Sequence, residues 1–432
     1  KKHSSWIRAL MAAVLTLVLA VSWSQPAQAS GTLKIGMEAN YAPYNWTQTT
    51  SANGAVKIDG TSSYANGYDV KIAKIIAKKL GKKVIVEKTQ WDGLLPALTS
   101  GKIDLIIAGM SPTAERRKAI NFTSPYRTTN FVVIVNKHSK YAKAKYLTNF
   151  KGAKLTAQQG TLHYDLIKQL PGAKREPASK DFAAMRESLE AGTIDGYVAE
   201  DTELTSFQMM DSNITGVNLS KMKGFKVSSS DAEVSIGVKK GNDQLLSQVN
   251  KVLAGISTSE RNKLMKEAVQ QQPQTSTKKE NWLVSMLKNY GQMILEGIGM
   301  TLLISLVGTI AGFFIGLLVG IVRTIPEPKN KFKKGLLAFC KWLLSVYVEI
   351  FRGTPMMVQA AVIYYGIAQF WHINLNRTVA ALIIVSINTG AYLAEVIRGG
   401  IISTPKGQFE AASALGMTHN QRMWSIILPQ AI

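Results

Sequence analysis

The chain has 432 residues, enough for more than one domain, and its formal net charge of +23 would be compatible with a nucleic-acid partner. Its basic residues, however, are scattered over a polar first half or bunched beside apolar sequence, without any RNA- or DNA-binding motif, and this excludes nucleic acid as a partner. The chain has one cysteine, so we predict no disulfide, and its five histidines are widely separated, so we predict no metal site. It has no phosphate-binding loop, so we predict no ATP site and no cofactor in this chain.

Residues 1–29 have the pattern of a secretory signal peptide. Three basic residues in the first eight positions precede an apolar run from Ala9 to Val21, and Ala27-Gln28-Ala29 provides a small-x-small cleavage site. The apolar run is short for a membrane span, and an uncleaved anchor is the alternative. Under either interpretation, the sequence that follows Gly31 is exported.

Residues 31–270 predict an α/β domain with two lobes. The strand patterns "TLKIGME", "VIVEKT" and "IDLIIAGM" alternate with helical patterns, of which "GYDVKIAKIIAKKLGKK" has an apolar stripe that ends at Gly81. This order predicts a mostly parallel sheet whose ligand binds beyond the carboxyl ends of the strands. A second unit follows in "KLTAQQGT", "DFAAMRESLEAGTIDGYVAE" and "EVSIGVKKG". We expect a first lobe of about 32–129 and 236–268, a second of about 130–235, and a cleft between them.

The segment "GYDVKIAKIIAKKLGKKVIVEKTQWDGLLPALTSGKIDLIIAGMSPTAERRKAINFTSPY" closely resembles the amino-acid-binding proteins of ABC importers. The resemblance extends from about Leu33 to Val269, with strand, helix and cleft motifs in the same order. It implies a periplasmic-binding-protein-like fold and a free amino acid as the ligand.

The carboxylate of such a ligand needs a cationic, hydrogen-bonding partner. The planar fork of Arg116 suits a carboxylate better than a lysine would, and the resemblance of "GMSPTAER" assigns it this role. The same resemblance implies that Gly109 and Ser111 supply backbone or hydroxyl groups. The loop from Gln158 to Thr161 resembles a turn whose backbone N–H groups also hold the carboxylate.

The resemblance also implies the contacts of the ligand's other groups. Glu200 matches the acidic residue that pairs with the ammonium, although the neighbouring Asp201 leaves a one-residue alternative. Tyr41 and Trp91 match the aromatic residues that sandwich the ligand's side chain, and Glu38 matches a position at the tip of that side chain. A glutamate beside two aromatic rings favours arginine, lysine or histidine, with glutamine as the alternative. Each residue alone also fits a structural role.

Residues 271–285 are predicted to be a linker, and residues 286–432 a helical membrane domain. The stretch "VQQQPQTSTKKEN" lacks hydrophobic periodicity, whereas the 26 residues from Gly297 to Val322 carry no charge and can span a bilayer. Within this span, glycine recurs every fourth residue from Gly308 to Gly320, which favours the close approach of another helix.

The charges that flank the apolar segments predict their orientation. Basic residues dominate from Arg323 to Lys341 and place that segment in the cytoplasm by the positive-inside rule. A second apolar stretch, about Leu336 to Trp371 and interrupted by "EIFRGTP", would return outward, and a third, Thr378 to Ile397, would come back in. Within these stretches, Glu349 with Arg352, and Glu395 with Arg398, are spaced to pair, although a substrate route is the alternative. We expect a multi-pass protein of the cell membrane whose binding domain is extracellular.

An elbow of two short helices is predicted after the third stretch. Pro405 suits a helix start with Thr404 as its cap, and Gly416 suits the left-handed turn that ends the helix. Thr418 and Gln421 have the spacing of a capping box, so a second helix begins there and ends near Leu428-Pro429.

The segments "YVEIFRGTPMMVQ" and "NTGAYLAEVIRGGIISTPKGQFEAASALG" closely resemble the permease subunits of polar-amino-acid ABC importers, from about Gly291 onward. This resemblance implies that Glu410, Ala411, Ala412 and Gly416 dock into a groove on a separate cytoplasmic ABC ATPase, with Glu410 in a coupling role. An interfacial amphipathic helix is the alternative. Because two permease domains are needed and one is present, we expect a homodimer.

Together these patterns predict a two-lobed α/β binding domain followed by an all-α transmembrane permease domain. The predicted function is the import of a polar, basic amino acid, without catalytic residues in this chain. A ligand-gated channel or membrane sensor with the same head is the alternative, and a cell-wall lytic enzyme is a third possibility. The family continues with further membrane helices, so we expect a fragment truncated at its C-terminus.

Overall fold

The computed structural model describes residues 31–219, 224–272, 282–328, 330–371 and 373–431. They form two compact units, a first unit up to Met293 and a second unit from Ile294 onward. The predicted signal peptide and residues 273–281 of the predicted linker lie outside the described residues.

The strands all belong to the first unit. In chain order they are β1 (Thr32–Met37), β2 (Asn40–Tyr41), β3 (Asn45–Gln48), β4 (Val56–Lys57), β5 (Tyr64–Asn66), β6 (Lys83–Lys88), β7 (Leu105–Ile106), β8 (Asn121–Phe122), β9 (Arg127–Thr128), β10 (Phe131–Asn136), β11 (Lys154–Thr156), β12 (Lys174–Arg175), β13 (Gly196–Glu200), β14 (Ile214–Asn218), β15 (Glu233–Val234) and β16 (Gly237–Val238).

The helices occur in both units. Those up to the linker are α1 (Tyr68–Lys79), α2 (Leu94–Thr99), α3 (Ala114–Ala119), α4 (Leu162–Leu166), α5 (Phe182–Glu190), α6 (Asp201–Met210), α7 (Asp243–Ala254) and α8 (Thr258–Gln271). Those after it are α9 (Trp282–Thr324), α10 (Lys331–Gly353), α11 (Met356–Trp371), α12 (Arg377–Ser403), α13 (Lys406–Ala414), α14 (His419–Arg422) and α15 (Leu428–Ala431).

Each lobe of the first unit is built on a five-stranded sheet. The strand order is β6-β1-β7-β16-β8 in the first lobe and β12-β11-β13-β10-β14 in the second. In each sheet four of the five strands run in the same direction, which confirms the prediction of mostly parallel sheets, and one strand, β16 or β10, is antiparallel to both of its neighbours. The reason is that β10 and β16 carry the chain into the second lobe and back to the first. Each runs against the strands that the local βα crossovers supply.

The helix α1 shows how the apolar pattern produces the first lobe. Its predicted stripe is buried at Val70, Ile72, Ala73 and Ile76, which confirms the helical period of the sequence. The chain turns after the helix at Gly81, whose φ of +65° favours glycine because a Cβ is strained in this region.

Two features connect the lobes. The strands β9 and β15 pair as an antiparallel ribbon where the chain crosses between the lobes. The residue after α8, Gln272, is buried, and its amide donates to the Ser206 carbonyl oxygen on α6 (3.2 Å) and accepts from the Ser206 hydroxyl (2.7 Å). Since Glu267 of α8 pairs with Lys71 of α1 at 3.3 Å, α8 together with Gln272 contacts both lobes.

In the second unit, the glycines of α9 pack against α12. A Cβ built on Gly312 would lie 2.7 Å from Thr389 Cβ, and one on Gly316 would lie 2.7 Å from Leu393 Cβ. These distances are shorter than carbon atoms tolerate, so the predicted close approach of another helix is confirmed, and that helix belongs to the same chain.

Gly316→Leu is therefore expected to destabilise the second unit by about 1–3 kcal/mol, because the added side chain must displace the backbone of α12. The matched control is Gly299→Leu on the same helix, where a Cβ has no heavy atom within 4 Å. Thermal unfolding in detergent measures both. Equal midpoints for the two variants would contradict the packing described here.

The predicted second apolar stretch is divided into α10 and α11. The helices separate at Thr354-Pro355, because proline has no N–H to donate and disfavours helical backbone in the residue before it. The buried Gln359 amide donates to the carbonyl oxygens of Phe351 and Thr354, both at 2.9 Å. It thereby provides hydrogen bonds to carbonyl groups at the break between the two helices. Two helical segments of the described residues, Tyr290–Thr324 and Arg377–Ser403, are long and apolar enough to cross a membrane. The outward crossing stays a prediction.

One of the two predicted charge pairs forms. Glu395 accepts from Arg398 at 2.8 Å, and Arg323 at the end of α9 also pairs with it. Arg352 instead lies over the ring of Tyr392 in α12, 5.7 Å from its centroid.

The predicted elbow is present, with two corrections. Gly416 has a φ of +70°, and Thr418 and Gln421 form the capping box that begins α14. Thr404 is not the cap of α13: its hydroxyl donates to the Gly400 carbonyl oxygen, and Pro405 is the residue before the helix. The second helix also continues past Pro429.

A π-helical turn, Met423–Ile427, explains why the helix does not stop at the proline. The Leu428 N–H donates to the Met423 carbonyl oxygen, and this wider turn accommodates a proline that lacks an N–H. The turn packs Met423, Ile427 and Leu428 against Ile397 and Ile401 of α12 in one apolar cluster. The elbow is therefore fixed to a long helix.

Candidate functional site

The predicted site residues lie where the two lobes face each other. In the first lobe, Glu38 follows β1 and Gly109 and Ser111 follow β7; in the second, Gln158 follows β11 and Glu200 ends β13. These are carboxyl ends of strands, where a ligand of an α/β sheet binds. The remaining predicted residues are Tyr41 in β2, Trp91 before α2, Arg116 in α3 and Thr161 before α4.

Arg116 joins the two lobes. Its Nη1 donates to the Ser111 carbonyl oxygen at 2.8 Å and its Nη2 to the Gly160 carbonyl oxygen of the second lobe at 3.0 Å. Its guanidinium lies over the Trp91 ring, 5.0 Å from the centroid, and Trp91 Nε1 also donates to Gly160. Burial lowers the pKa of Arg116 to about 10, which leaves a cation at neutral pH. The guanidinium is thus a cation whose orientation is fixed by two carbonyl oxygens and the Trp91 ring.

Glu38 and Gln158 meet across the cleft. Gln158 Nε2 donates to both carboxylate oxygens of Glu38, at 3.1 and 3.0 Å, and both side chains are buried. Thr161 is tied to the same loop, because its hydroxyl donates to the Gln158 carbonyl oxygen at 2.6 Å. The loop is predicted to offer backbone N–H groups to a carboxylate, and the structure adds a contact between the Gln158 side chain and Glu38.

Glu200 is buried and faces aromatic and imidazole groups. The Tyr41 and Tyr44 hydroxyls are near its carboxylate, and His163 Nε2 is 3.8 Å from its Oε1. Its neighbour Asp201 points elsewhere, since its oxygens accept from Thr129 and Asn130 at 3.1 and 3.0 Å. Glu200, not Asp201, therefore faces the cleft.

Tyr41 and Trp91 have different partners within the chain, and their predicted sandwich around a ligand side chain stays a prediction. Tyr41 stacks on Phe182 of α5 at 4.2 Å with an interplanar angle of 6°, whereas Trp91 lies against the Arg116 guanidinium. In the second lobe, Tyr41 contacts α5, whereas Trp91 contacts the loop at Gly160.

Gly109 is required beside Tyr41. Its φ is +62°, and a Cβ there would lie 2.9 Å from the Tyr41 ring. Any side chain at this position would displace Tyr41 from Phe182.

The sequence did not single out Tyr44, His163 or Phe182. Tyr44 lies three residues after Tyr41 in "YAPY", and His163 lies two residues after Thr161. Only these short distances in the sequence from predicted site residues could have pointed to Tyr44 and His163. Whether each side chain approaches the cleft depends on tertiary packing.

Burial sets the acidity of the two cleft carboxyls. It raises the pKa of Glu38 and of Glu200 from the ordinary value of 4.5 to about 7. A cationic group pairs with the ionised form only, so its binding must release the proton. For the ligand-free protein, the stability that protonation adds is fully present below pH 4.5 and is lost as the pH rises through about 7.

If the predicted amino-acid ligand binds with its ammonium at Glu200, its affinity is expected to rise between about pH 5 and pH 8, with proton release near neutral pH. Calorimetry in two buffers of different ionisation enthalpy counts the released protons. Glu200→Gln should reduce the count, because the amide has no proton to release. An affinity that falls over this range would contradict the assignment of the carboxyls.

The predicted coupling residues divide into two groups. Glu410, Ala411 and Gly416 are exposed on the elbow, whereas Ala412 is buried. The side chain of Ala412 is thus packed within the chain, and the exposed positions form a surface that a partner can reach; the coupling role of all four residues stays a prediction.

Comparisons with known proteins match both units. Residues 33–271 match the family of bacterial extracellular solute-binding proteins, family 3. Residues 334–432 match the family described as the inner membrane component of binding-protein-dependent transport systems.

Two curated relatives illustrate the similarity. The "Probable amino-acid ABC transporter permease protein YckA" of Bacillus subtilis (strain 168) is 40% identical over 139 residues, which cover 32% of this chain and 57% of that protein. The "Probable histidine-binding protein" of Campylobacter jejuni (strain ATCC 700819 / NCTC 11168) is 33% identical over 194 residues, 43% of this chain and 70% of that protein. The chain thus spans little more than half of the permease relative.

One similar solved structure is that of an amino acid ABC transporter substrate-binding protein, AbpA, from Streptococcus pneumoniae Canada MDR_19A, bound to L-arginine. It has a TM-score of 0.48 and 24% identity, over 56% of this chain and 96% of that chain.

Proposed function

Because the chain belongs to family 3 of the bacterial extracellular solute-binding proteins, we propose that it captures a free amino acid outside the cell. We further propose that it passes the amino acid to the permease domain in the same polypeptide. The order of the two family matches, binding domain first and inner membrane component second, supports this arrangement.

The charge pattern of the cleft is the observation that carries the proposal. Arg116 and the two buried carboxyls Glu38 and Glu200 lie between the lobes. Two further cations are close enough to influence these carboxyls, Lys88 for Glu38 and Arg127 for Glu200. A basic amino acid offers the complementary groups: a carboxylate for Arg116, an α-ammonium for Glu200 and a side-chain cation for Glu38. We assign Tyr41, Trp91, Gly109, Ser111, Gln158 and Thr161 to the walls of this site.

The preference for a basic side chain rests on Glu38. Its two oxygens already accept from the Gln158 amide, so the position suits a group with several N–H donors. A guanidinium fits this geometry, and the amide of glutamine is the second candidate. The relatives are named for different substrates, among them arginine, glutamine and histidine.

Calorimetric titration of the full chain in lipid nanodiscs with the twenty amino acids tests the function. We expect arginine, lysine or histidine to bind most tightly. Glu38→Gln should weaken arginine about tenfold or more and glutamine less than threefold, because the change removes a charge but keeps an acceptor. Equal weakening of both ligands would refute the basic preference, and no binding of any amino acid would refute the function.

Transport requires an energy source outside this chain. We propose that separate cytoplasmic ABC ATPase subunits dock on the exposed elbow residues Glu410, Ala411 and Gly416, and that two permease domains associate as a homodimer. The anchoring of the elbow on α12 supports a role in transmitting force, since Ile397 and Ile401 pack against its π-helical turn.

We propose the following division of the chain: a signal peptide at 1–29, a binding domain at 31–270, a linker at 271–285 and a permease domain from 286 onward. The binding domain then lies outside the cell and the elbow lies in the cytoplasm.

A further inference from the structure

His163 is an unexplained buried side chain in the second lobe. It lies in the first turn of α4, and its ring packs edge-on against Phe131 with the centroids 5.3 Å apart. Neither of its ring nitrogens has a hydrogen-bond partner among the described residues. Buried polar atoms are nearly always paired, so an imidazole with two unpaired nitrogens requires an explanation.

The surroundings of His163 contain further unpaired atoms. Glu200 Oε1, 3.8 Å from His163 Nε2, and the hydroxyls of Tyr41 and Tyr44 also lack partners of normal hydrogen-bond geometry in the described part of the chain. All of these atoms are buried. Such a cluster costs free energy unless a group that can pair with these atoms enters it.

We propose that His163 is a further ligand-contacting residue, which accepts a hydrogen bond from the α-ammonium of the amino acid. The ammonium has three N–H donors. Glu200 Oε1, His163 Nε2 and one tyrosine hydroxyl offer three acceptors in one place. The inference rests on the proposed function and extends it, because it specifies how the site recognises a primary amine.

The imidazole must be neutral to accept this bond. Burial and the nearby Arg116 both disfavour the imidazolium, and they lower the pKa of His163 to about 3. Nε2 then accepts in the tautomer that carries its proton on Nδ1. A secondary amine such as that of proline offers only two donors, so the cluster selects primary α-amino acids.

The test compares an amino acid with an analogue that lacks only the amino group. The probes are L-arginine with 5-guanidinopentanoate, or L-glutamine with 4-carbamoylbutanoate, whichever amino acid the wild-type chain binds more tightly. In His163→Phe, the ring is kept and the acceptor is lost. We expect at least a tenfold loss of affinity for the amino acid and less than a twofold change for its analogue.

His163→Gln restores an acceptor and should bind the amino acid more tightly than His163→Phe. His163→Leu gives the same comparison if the phenylalanine variant does not fold, and exposed His138→Leu is the matched control. The proposal is overturned if His163→Phe and His163→Leu leave amino-acid affinity within twofold of wild type, or weaken both probes equally. A wild-type chain that binds no amino acid overturns the proposed function itself.

Discussion

Arg116→Ala is expected to abolish amino-acid binding, with a loss of affinity of about 100-fold or more. The guanidinium is held by the Ser111 and Gly160 carbonyl oxygens and lies over Trp91, so its fork is oriented before a ligand arrives. Removal of the fork leaves the ligand carboxylate without its cation inside the cleft. Arg116→Lys should recover only part of the affinity, because an ammonium cannot make the same two parallel bonds.

Arg117→Ala provides the matched control. Arg117 is the next residue of α3, is exposed, and donates from Nε to the Pro112 carbonyl oxygen at 2.9 Å. Its removal should leave the affinity within about threefold. Calorimetry on the three variants decides the assignment: an Arg116→Ala protein that binds as tightly as Arg117→Ala would show that the carboxylate is held elsewhere.

Glu410→Lys is expected to remove amino-acid-stimulated ATP hydrolysis in a reconstituted complex while the affinity for the amino acid is unchanged. Glu410 is exposed on α13, and reversal of its charge at a docking surface opposes association with the ATPase. The stimulated rate should fall about tenfold or more. The separation of the two effects follows from the location of Glu410 in the second unit, since the candidate ligand site lies in the first.

Gln408→Lys is the control for the added charge, because Gln408 is exposed on the same helix. We expect this variant to retain most of the stimulation. If Glu410→Lys hydrolyses ATP at the wild-type rate, or if it weakens amino-acid binding, the coupling role of the elbow is refuted.

Local features of the fold were predictable because neighbouring residues determine them. The apolar stripe of α1, the left-handed turn at Gly416 and the capping box at Thr418 each depend on a few adjacent positions. The glycine repeat of α9 also predicted a close helix contact, although the sequence could not identify α12 as the partner.

Features that depend on distant segments were missed. The one antiparallel strand of each sheet, β16 or β10, belongs to a segment that crosses between the lobes, and the continuation of the helix through Pro429 depends on a π-helical turn. In the candidate site, the stacking of Phe182 on Tyr41 was not predicted, because the two residues are far apart in the sequence. Neither ring nitrogen of His163 has a hydrogen-bond partner among the described residues. The sequence could not predict this, because it depends on how Glu200 and the aromatic residues of the first lobe pack around the ring.

Cysteine labelling in intact cells tests the central claim, that one polypeptide captures an amino acid outside the cell and engages an ATPase inside. On a Cys340→Ala background, the exposed positions Tyr146 and Leu415 are replaced singly by cysteine. A membrane-impermeant maleimide should label Tyr146→Cys in intact cells and Leu415→Cys only after permeabilisation. Labelling of both positions in intact cells, or of neither, would contradict the account.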